Sequence, residues 1–194
     1  MASCAVFASG NGSNLQALVD RLSATSHAIR CLVCDNRQAY AIHRAEASGI
    51  PVVPVSYRDR SREEAEASIR AALAASEPDI LVLAGFMRLL SPAFVDAFAM
   101  RIVNIHPALL PRHPGTHGIE DSWAAGDSEL GVTIHYVDHG MDTGPIILQK
   151  SFTREAHDTL ESVTRKIHEL EHEHYPKVVQ ALLDDVDRKR GERA

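Results

Sequence analysis

An asparagine and a histidine stand two residues apart in Asn104-Ile105-His106, directly before a proline. The apolar run over residues 101–105 predicts a short β-strand, and side chains two apart on a strand project from the same face. An amide N–H donor beside an imidazole suits a reaction in which an oxygen gains negative charge while a proton moves. Asn104 and His106 are therefore candidate catalytic residues at the end of this strand.

A glycine-rich turn, residues 9–14 (SGNGSN), falls between the first predicted strand and the first predicted helix. Glycines permit close backbone approach, and the first turn of a helix offers unpaired N–H groups to an anion. The pattern predicts phosphate binding by Gly12, Ser13 and Asn14. Two other interpretations remain open. One is a plain turn whose Ser or Asn caps the helix, and the other is a dinucleotide-binding turn, although Leu15 occupies the third glycine position of that fingerprint.

A third pattern lies near the C-terminus, where residues 168–172 (HELEH) match the zinc-protease signature H-E-x-x-H. Glu192 has a plausible spacing for a third ligand, but it falls in a charged tail. Tyr175 stands where a metzincin carries glycine. We therefore expect no metal site, and we expect His168 and His174 to lie on a solvated helix face.

Length and composition are those of one large globular domain: 194 residues, 45% hydrophobic and 24% charged. We predict a single domain over residues 1–186 and a frayed, charged tail over 187–194. Three cysteines at strand-like positions are typical of reduced thiols in a cytoplasmic protein. A net charge of −6 argues against non-specific nucleic-acid binding, and no apolar stretch approaches membrane-spanning length. We expect small-molecule partners and either a monomer or a homodimer.

Strand-like and helix-like segments alternate along the chain, which predicts an α/β fold with a Rossmann-like, doubly wound, mostly parallel sheet flanked by helices. Between the fifth and sixth strands, residues 108–117 predict a loop long enough to act as a lid. The predicted strands cover residues 4–8, 29–34, 52–55, 80–84, 101–105, 131–137 and 145–152. The predicted helices cover residues 15–22, 39–48, 62–75 and 158–183, with a short one that begins at Ser91-Pro92 and a capping box at Ser61 and Glu64.

Five motifs occur in order: residues 9–16 (SGNGSNLQ), 84–91 (AGFMRLLS), 104–111 (NIHPALLP), 142–147 (DTGPII) and 171–176 (EHEHYP). Together they resemble the phosphoribosylglycinamide formyltransferases, a folate-dependent family of purine biosynthesis. The resemblance runs from about residue 4 to about residue 183.

This resemblance implies the formyltransferase fold and transfer of a formyl group from the cosubstrate 10-formyltetrahydrofolate to the glycyl amine of 5'-phosphoribosylglycinamide. The amine would attack directly, through a tetrahedral intermediate and without a metal. The implied catalytic residues are Asn104, His106 as general acid/base, and Asp142, whose charge would favour the imidazolium form of His106. Gly12, Ser13 and Asn14 would hold the substrate phosphate, and Glu171 the amine. The implied folate-binding residues are Arg62, Met87, Arg88, Leu89, Leu90 and Asn104.

Other functions fit less of the sequence. A 10-formyltetrahydrofolate hydrolase would usually lack this phosphate loop, and a methionyl-tRNA formyltransferase should carry a further basic C-terminal domain. A non-catalytic nucleotide-binding module would use only the first loop and leave Asn104, His106 and Asp142 without a shared purpose. His135 alternates with Thr133 along a strand, so we expect both to face the site and to contact substrate or donor.

Overall fold

The computed structural model describes residues 1–192, in which strands and helices alternate. The strands are β1 (Ser3–Ala8), β2 (Ala28–Cys34), β3 (Val52–Pro54), β4 (Ile80–Leu83), β5 (Ile102–His106), β6 (Glu129–Tyr136) and β7 (Ile146–Thr153). The helices are α1 (Ser13–Leu22), α2 (Tyr40–Ala47), α3 (Arg62–Ser76), α4 (Pro92–Ala97), α5 (Gly118–Ala124) and α6 (Leu160–Gly191).

All seven strands form one sheet in the order β3-β2-β1-β4-β5-β6-β7. Strands β1 to β5 pair with one another in parallel, and β6 and β7 add an antiparallel edge beside β5. Alternate residues of β1 enter two different cores: Cys4 and Val6 pack with α1, α2 and α6, whereas Ala5 and Phe7 pack with α3 and α4. Helices thus cover both faces of the sheet, and the predicted doubly wound fold is confirmed.

The capping signals in the sequence mark the starts of α3 and α4, as predicted. Ser61 accepts a hydrogen bond from the Glu64 N–H while the Glu64 carboxylate accepts from the Ser61 N–H, a complete capping box on α3. Ser91 caps α4, which has Pro92 in its first turn. The three cysteines are free and buried, as expected for core thiols. Within residues 1–192, none of the helices has the length and apolar character needed to cross a membrane.

The C-terminal tail differs from the prediction, because α6 continues to Gly191 instead of ending near residue 183. Its last turn holds three basic residues, which interact favourably with the negative end of the helix dipole. Lys189 lies 2.5 Å from Asp185, and Arg190 lies 2.5 Å from Asp79 in the loop before β4. The predicted frayed tail is therefore wrong for residues 187–191, and residues 193–194 lie outside the described part.

The strand order reverses between β1 and β4, so the loops that follow these two strands diverge and leave a crevice at their carboxyl ends. Ligands of open α/β sheets bind at such switch points. The glycine-rich turn follows β1, and residues 84–91 follow β4. The Asn-x-His pair ends β5, directly beside β4. The topology therefore brings three of the five motifs to one edge of the sheet.

Candidate active site

A cleft of about 730 Å³ opens at this edge of the sheet. Its walls are the turn after β1, the loop after β4, the end of β5, the segment after β6 and one face of α6. It unites all but one of the predicted site residues: Gly12, Ser13, Asn14, Met87, Arg88, Leu89, Leu90, Asn104, His106, Asp142 and Glu171.

Arg62 is the exception. It is the first residue of α3, its side chain is 41% exposed, and it lies outside the lining of the cleft. Its nearest acidic partner is the neighbouring Glu63, at 3.9 Å. The structure therefore does not bring Arg62 to the predicted folate site.

The glycine-rich turn places the N-terminus of α1, which has no side-chain cap, at the cleft. Gly12 is the N-cap of α1, with φ of 76°, and no side chain caps the helix. A Cβ at Gly12 would lie 2.7 Å from both Cα and Cβ of Ala41, so only glycine fits between α1 and α2. The alternative of a Ser or Asn cap is therefore wrong. The first N–H groups of α1 face the cleft, free to receive an anion.

Arg44 is a neighbour of this turn that the sequence did not reveal. From α2, its Nε donates to the Asn11 carbonyl at 3.0 Å and its Nη2 to Asn11 Oδ1 at 3.1 Å. It fixes the turn and adds positive charge beside the helix N-terminus. Its sequence position, thirty-three residues after Asn11, carries no local signal.

Asn104 is oriented by His135, its cross-strand partner on β6. The His135 Nδ1 lies 2.8 Å from the Tyr136 carbonyl, which can only accept, so Nδ1 carries the hydrogen and Nε2 accepts. Asn104 Nδ2 donates to that Nε2 at 3.2 Å and has a longer contact of 3.5 Å to Asp142 Oδ1. One N–H of the Asn104 amide therefore makes a firm hydrogen bond to His135, and the other makes only the long contact to Asp142.

Thr133 does not act as predicted. It shares a face with His135, but its hydroxyl accepts from the Leu110 N–H at 3.0 Å and donates to the Ala108 carbonyl at 2.7 Å. Gln149 Nε2 donates to the same hydroxyl at 2.9 Å. Thr133 is fully buried, and these three hydrogen bonds occupy its hydroxyl. It therefore supports the segment after β5 instead of contacting a ligand.

His106 is held at both ring nitrogens. Its Nε2 lies 2.7 Å from the His113 carbonyl, and its Nδ1 lies 3.5 Å from Asp142 Oδ2. Because a carbonyl only accepts, Nε2 carries the hydrogen of the neutral ring. Nδ1 is therefore the free base of His106, and it lies beside a carboxylate.

The charge states of this pair follow from burial and contacts. Burial lowers the pKa of His106 below its ordinary 6.5, and the Asp142 carboxylate and His113 carbonyl offset only part of that effect. Asp142 acts in the predicted direction, but burial outweighs it, so the resting ring is neutral at pH 7. Burial also acts to raise the pKa of Asp142, yet its polar contacts, among them the Gly115 N–H that donates to Oδ2 at 2.8 Å, hold it below its ordinary 3.8. The site thus pairs a neutral base with an ionised carboxylate.

Glu171 brings a second carboxylate to the cleft from α6. Asn14 Nδ2 donates to its Oε2 at 3.0 Å. Burial raises the pKa of Glu171 to about 7, although the Asn14 hydrogen bond acts to lower it. One turn later, the Tyr175 hydroxyl reaches the carbonyls of Leu83 and Val103, at 2.9 and 3.0 Å, and so anchors α6 on β4 and β5.

The loop after β4 presents apolar side chains to solvent inside the cleft. Met87 is 59% exposed and Leu89 53% exposed, and Met141, in the segment after β6, lines the same cleft with 54% exposure. Two contacts fix the Arg88 side chain. Its Nε lies 2.6 Å from Asp35 Oδ2, and its guanidinium lies over the Tyr57 ring, 5.0 Å from the ring centroid. Leu90 is buried against the core and supports the loop.

The H-E-x-x-H pattern does not assemble a ligand set. The rings of His168 and His172 stack with centroids 6.3 Å apart and line the cleft. Glu192 follows the end of the same helix, roughly 30 Å along its axis at 1.5 Å per residue. Within residues 1–192, no group of three or more His, Cys, Asp or Glu side chains is placed to hold a metal ion.

Comparison with known proteins supports the motif-based prediction. Residues 2–179 match the family described as Formyl transferase. A phosphoribosylglycinamide formyltransferase of Bacillus subtilis (strain 168) is 45% identical over 195 residues, 98% of each chain. A crystal structure of phosphoribosylglycinamide formyltransferase from Streptococcus pneumoniae TIGR4 has a TM-score of 0.88 and 42% identity, covering 94% of this chain and 99% of that one. The match to a trifunctional purine biosynthetic protein of Drosophila melanogaster, 43% identical over 185 residues, covers 93% of this chain and 14% of that protein. The chain therefore belongs to the formyl transferase family and, within it, to the phosphoribosylglycinamide formyltransferases.

Proposed function

We propose that this chain transfers the formyl group of 10-formyltetrahydrofolate to the glycyl amine of 5'-phosphoribosylglycinamide, in the cytoplasm and as a step of de novo purine biosynthesis. The observation that carries the proposal is that one cleft holds an anion-binding helix N-terminus, an apolar loop and the neutral base His106 beside ionised Asp142. Every side chain it uses comes from one copy of the chain. The same chemistry therefore works in a monomer or in a homodimer.

The acceptor fits the end of the cleft formed by α1 and α6. Its phosphate would bind the free N–H groups of Gly12, Ser13 and Asn14 at the start of α1. Its amine would meet the Glu171 carboxylate, which is already tied to Asn14. One asparagine thus lies between the phosphate site and the amine site.

The donor fits the other side of the cleft. The exposed Met87 and Leu89 side chains offer apolar contact to a flat heteroaromatic ring. The Met87 N–H is taken by Ser9 Oγ at 2.9 Å, and within residues 1–192 the main-chain groups of Arg88 and Leu89 have no hydrogen-bond partner. These groups are available to the polar edge of the ring. The exposed Arg88 would contact the anionic tail of the folate outside the ring pocket.

The folate supplies the formyl carbon, and the side chains of this chain manage charge and protons around it. As the amine attacks, the loosely held N–H of Asn104 donates to the formyl oxygen, which gains negative charge. His106 Nδ1 takes the proton that the amine loses, and Asp142 stabilises the imidazolium that forms. His106 then returns this proton to the departing folate nitrogen. None of these residues needs to form a covalent intermediate.

Two alternatives use fewer of these features. Hydrolysis of 10-formyltetrahydrofolate needs His106 and Asp142, but leaves the α1 N-terminus and Glu171 without a ligand. A non-catalytic nucleotide-binding module needs only α1, and leaves the His106–Asp142 contact without a role.

The test is a spectrophotometric assay with 10-formyltetrahydrofolate, run with and without phosphoribosylglycinamide on folded protein. We expect turnover only when the acceptor is present. Equal turnover without acceptor would favour the hydrolase, and no turnover in either mixture would overturn formyl transfer to this acceptor.

A further inference from the structure

The hydrogen bond that fixes the tautomer of His106 comes from outside the cleft. The acceptor is the main-chain carbonyl of His113, 2.7 Å from Nε2, in the segment between β5 and α5. His113 has φ of 54°, in the left-handed region that non-glycine residues rarely adopt. A strained residue keeps such a conformation only when its surroundings hold it.

The side chain of His113 supplies that hold. Its Nε2 lies 2.8 Å from Asp127 Oδ2, in the turn between α5 and β6. The same oxygen is 3.0 Å from Arg112 Nη1, so the Asp127 carboxylate binds two consecutive residues of the segment, Arg112 and His113. The Asp127 side chain is only 15% exposed, which makes these contacts stronger than surface ion pairs. Neither Asp127 nor His113 lines the cleft.

His106 has little freedom on the side where this segment folds over it. A Cβ built on Gly118, the first residue of α5, would lie 3.0 Å from Nε2. The ring is therefore packed between the start of α5 and the His113 carbonyl. Moving that carbonyl would remove the hydrogen-bond acceptor of Nε2. The packing against Gly118 would keep the ring from rotating toward another acceptor.

We propose that the Asp127–His113 pair is a positioning device for His106. It presents the His113 carbonyl to Nε2 and so keeps Nδ1, the atom that faces Asp142 and the cleft, as the free base. This inference rests on the proposed function, in which Nδ1 takes the proton of the attacking amine. Asp127 acts through His113 and touches neither substrate.

The kinetic test compares Asp127→Ala with Asp127→Asn. Alanine releases the pair, so kcat should fall roughly ten- to a hundred-fold, the effect of displacing a catalytic group by a fraction of an ångström to an ångström. The KM values of both substrates should stay within about two-fold, because Asp127 lies outside the cleft. Asparagine keeps an oxygen for the His113 ring and should restore most of kcat. Asp121→Ala, which removes an exposed carboxylate of the adjacent α5, is the matched control and should behave as the wild type.

The spectroscopic test reads the tautomer without any substrate. Nitrogen-15 spectra of labelled histidine, taken in alkaline buffer where the ring is neutral, should show His106 with its hydrogen on Nε2. Asp127→Ala should give a mixture of the two tautomers. Should that variant fail to fold, His113→Gly removes the same clamp at a position where glycine is unstrained, and should give the same mixture.

The two readouts separate this inference from the proposed function. If Asp127→Ala keeps both kcat and the Nε2–H tautomer, the positioning role is wrong although formyl transfer stands. If the wild type transfers no formyl group yet the tautomer shifts in the variant, the clamp is real and the proposed function fails.

Discussion

Asn14 and Glu171 are joined by a buried hydrogen bond of 3.0 Å that links the first turn of α1 to the middle of α6. The two residues are 157 positions apart, and each lies in a different motif. Burial gives this carboxylate a pKa of about 7, above the ordinary 4.5. Glu171 is therefore partly protonated in the free protein at neutral pH, and ionises more readily when a positive amine approaches.

We first predict how Glu171→Gln changes stability with pH. A folded-state pKa above the unfolded one means that the folded protein binds more protons between about pH 4.5 and about pH 7, so wild-type stability falls as the pH rises through this window. The cost of ionising Glu171 is on the order of 3 kcal/mol. Urea unfolding should show the variant more stable than the wild type by up to this amount near pH 8, and no more stable near pH 5.

The same substitution should weaken acceptor binding, because a neutral amide attracts the amine less than a carboxylate does. KM for phosphoribosylglycinamide should rise roughly ten-fold or more, with KM for the folate unchanged. Glu173→Gln, on the exposed face of the same helix, is the control for both measurements. Equal stability profiles for wild type and Glu171→Gln would show that Glu171 is ionised normally.

Asp142→Asn tests the carboxylate beside His106. Asp142 raises the pKa of His106 against the larger effect of burial, so its loss should lower that pKa further. The acidic limb of the kcat/KM profile, where the base becomes protonated, should move to lower pH. Turnover should fall on the order of ten- to a hundred-fold, because the imidazolium loses its counter-charge. An unchanged rate and profile would reduce Asp142 to a turn residue, and Asp96→Asn on exposed α4 is the control.

Gly12→Ala tests the close approach at the phosphate loop. The new Cβ would lie 2.7 Å from Ala41 at a φ of 76°, so the loop must move, at a cost of about 1–3 kcal/mol. KM for the phosphorylated acceptor should rise more than KM for the folate. Gly10→Ala controls for stability, since a Cβ there meets no atom within 4 Å. Equal melting temperatures for the two variants would argue against the packing constraint at Gly12.

Leu89→Asp tests the apolar wall of the cleft. The side chain is 53% exposed in the free protein, and a bound ring would remove its apolar surface from water. A charge there should raise KM for the folate roughly ten-fold and leave that of the acceptor unchanged. Met100→Asp, at a similarly exposed apolar residue outside the cleft, is the matched control. An equal effect on both substrates would place the ring elsewhere.

How far the sequence predicts this site depends on how local each signal is. Asn104 and His106 lie two apart on one strand, so their juxtaposition follows from strand geometry alone. Asp142 and Glu171 are distant in sequence, and only the order of the family motifs connected them to the pair. Arg62 stands in a segment with no such motif, and it is the predicted site residue that the cleft does not include.

The parts that the sequence did not predict depend on tertiary contacts. The short helix α5 follows a stretch of prolines and glycine, and its N-cap residue, His117, makes no side-chain capping bond, so no start signal marks the helix. The clamp on His106 acts through the main-chain carbonyl of His113, which is the same for any residue type. The last turn of α6 includes a contact that is distant in sequence, since Arg190 pairs with Asp79 in the loop before β4.

The most direct test of the central claim is the steady-state rate of formyl transfer by His106→Ala beside the wild type, with both substrates saturating. His106 is assigned as the proton acceptor through Nδ1, so turnover should fall on the order of a hundred- to ten-thousand-fold while the variant stays folded. His139→Ala, at an exposed histidine paired with Asp96, should keep the wild-type rate. Near-normal turnover in folded His106→Ala would contradict the assignment of Nδ1 of His106 as the proton acceptor.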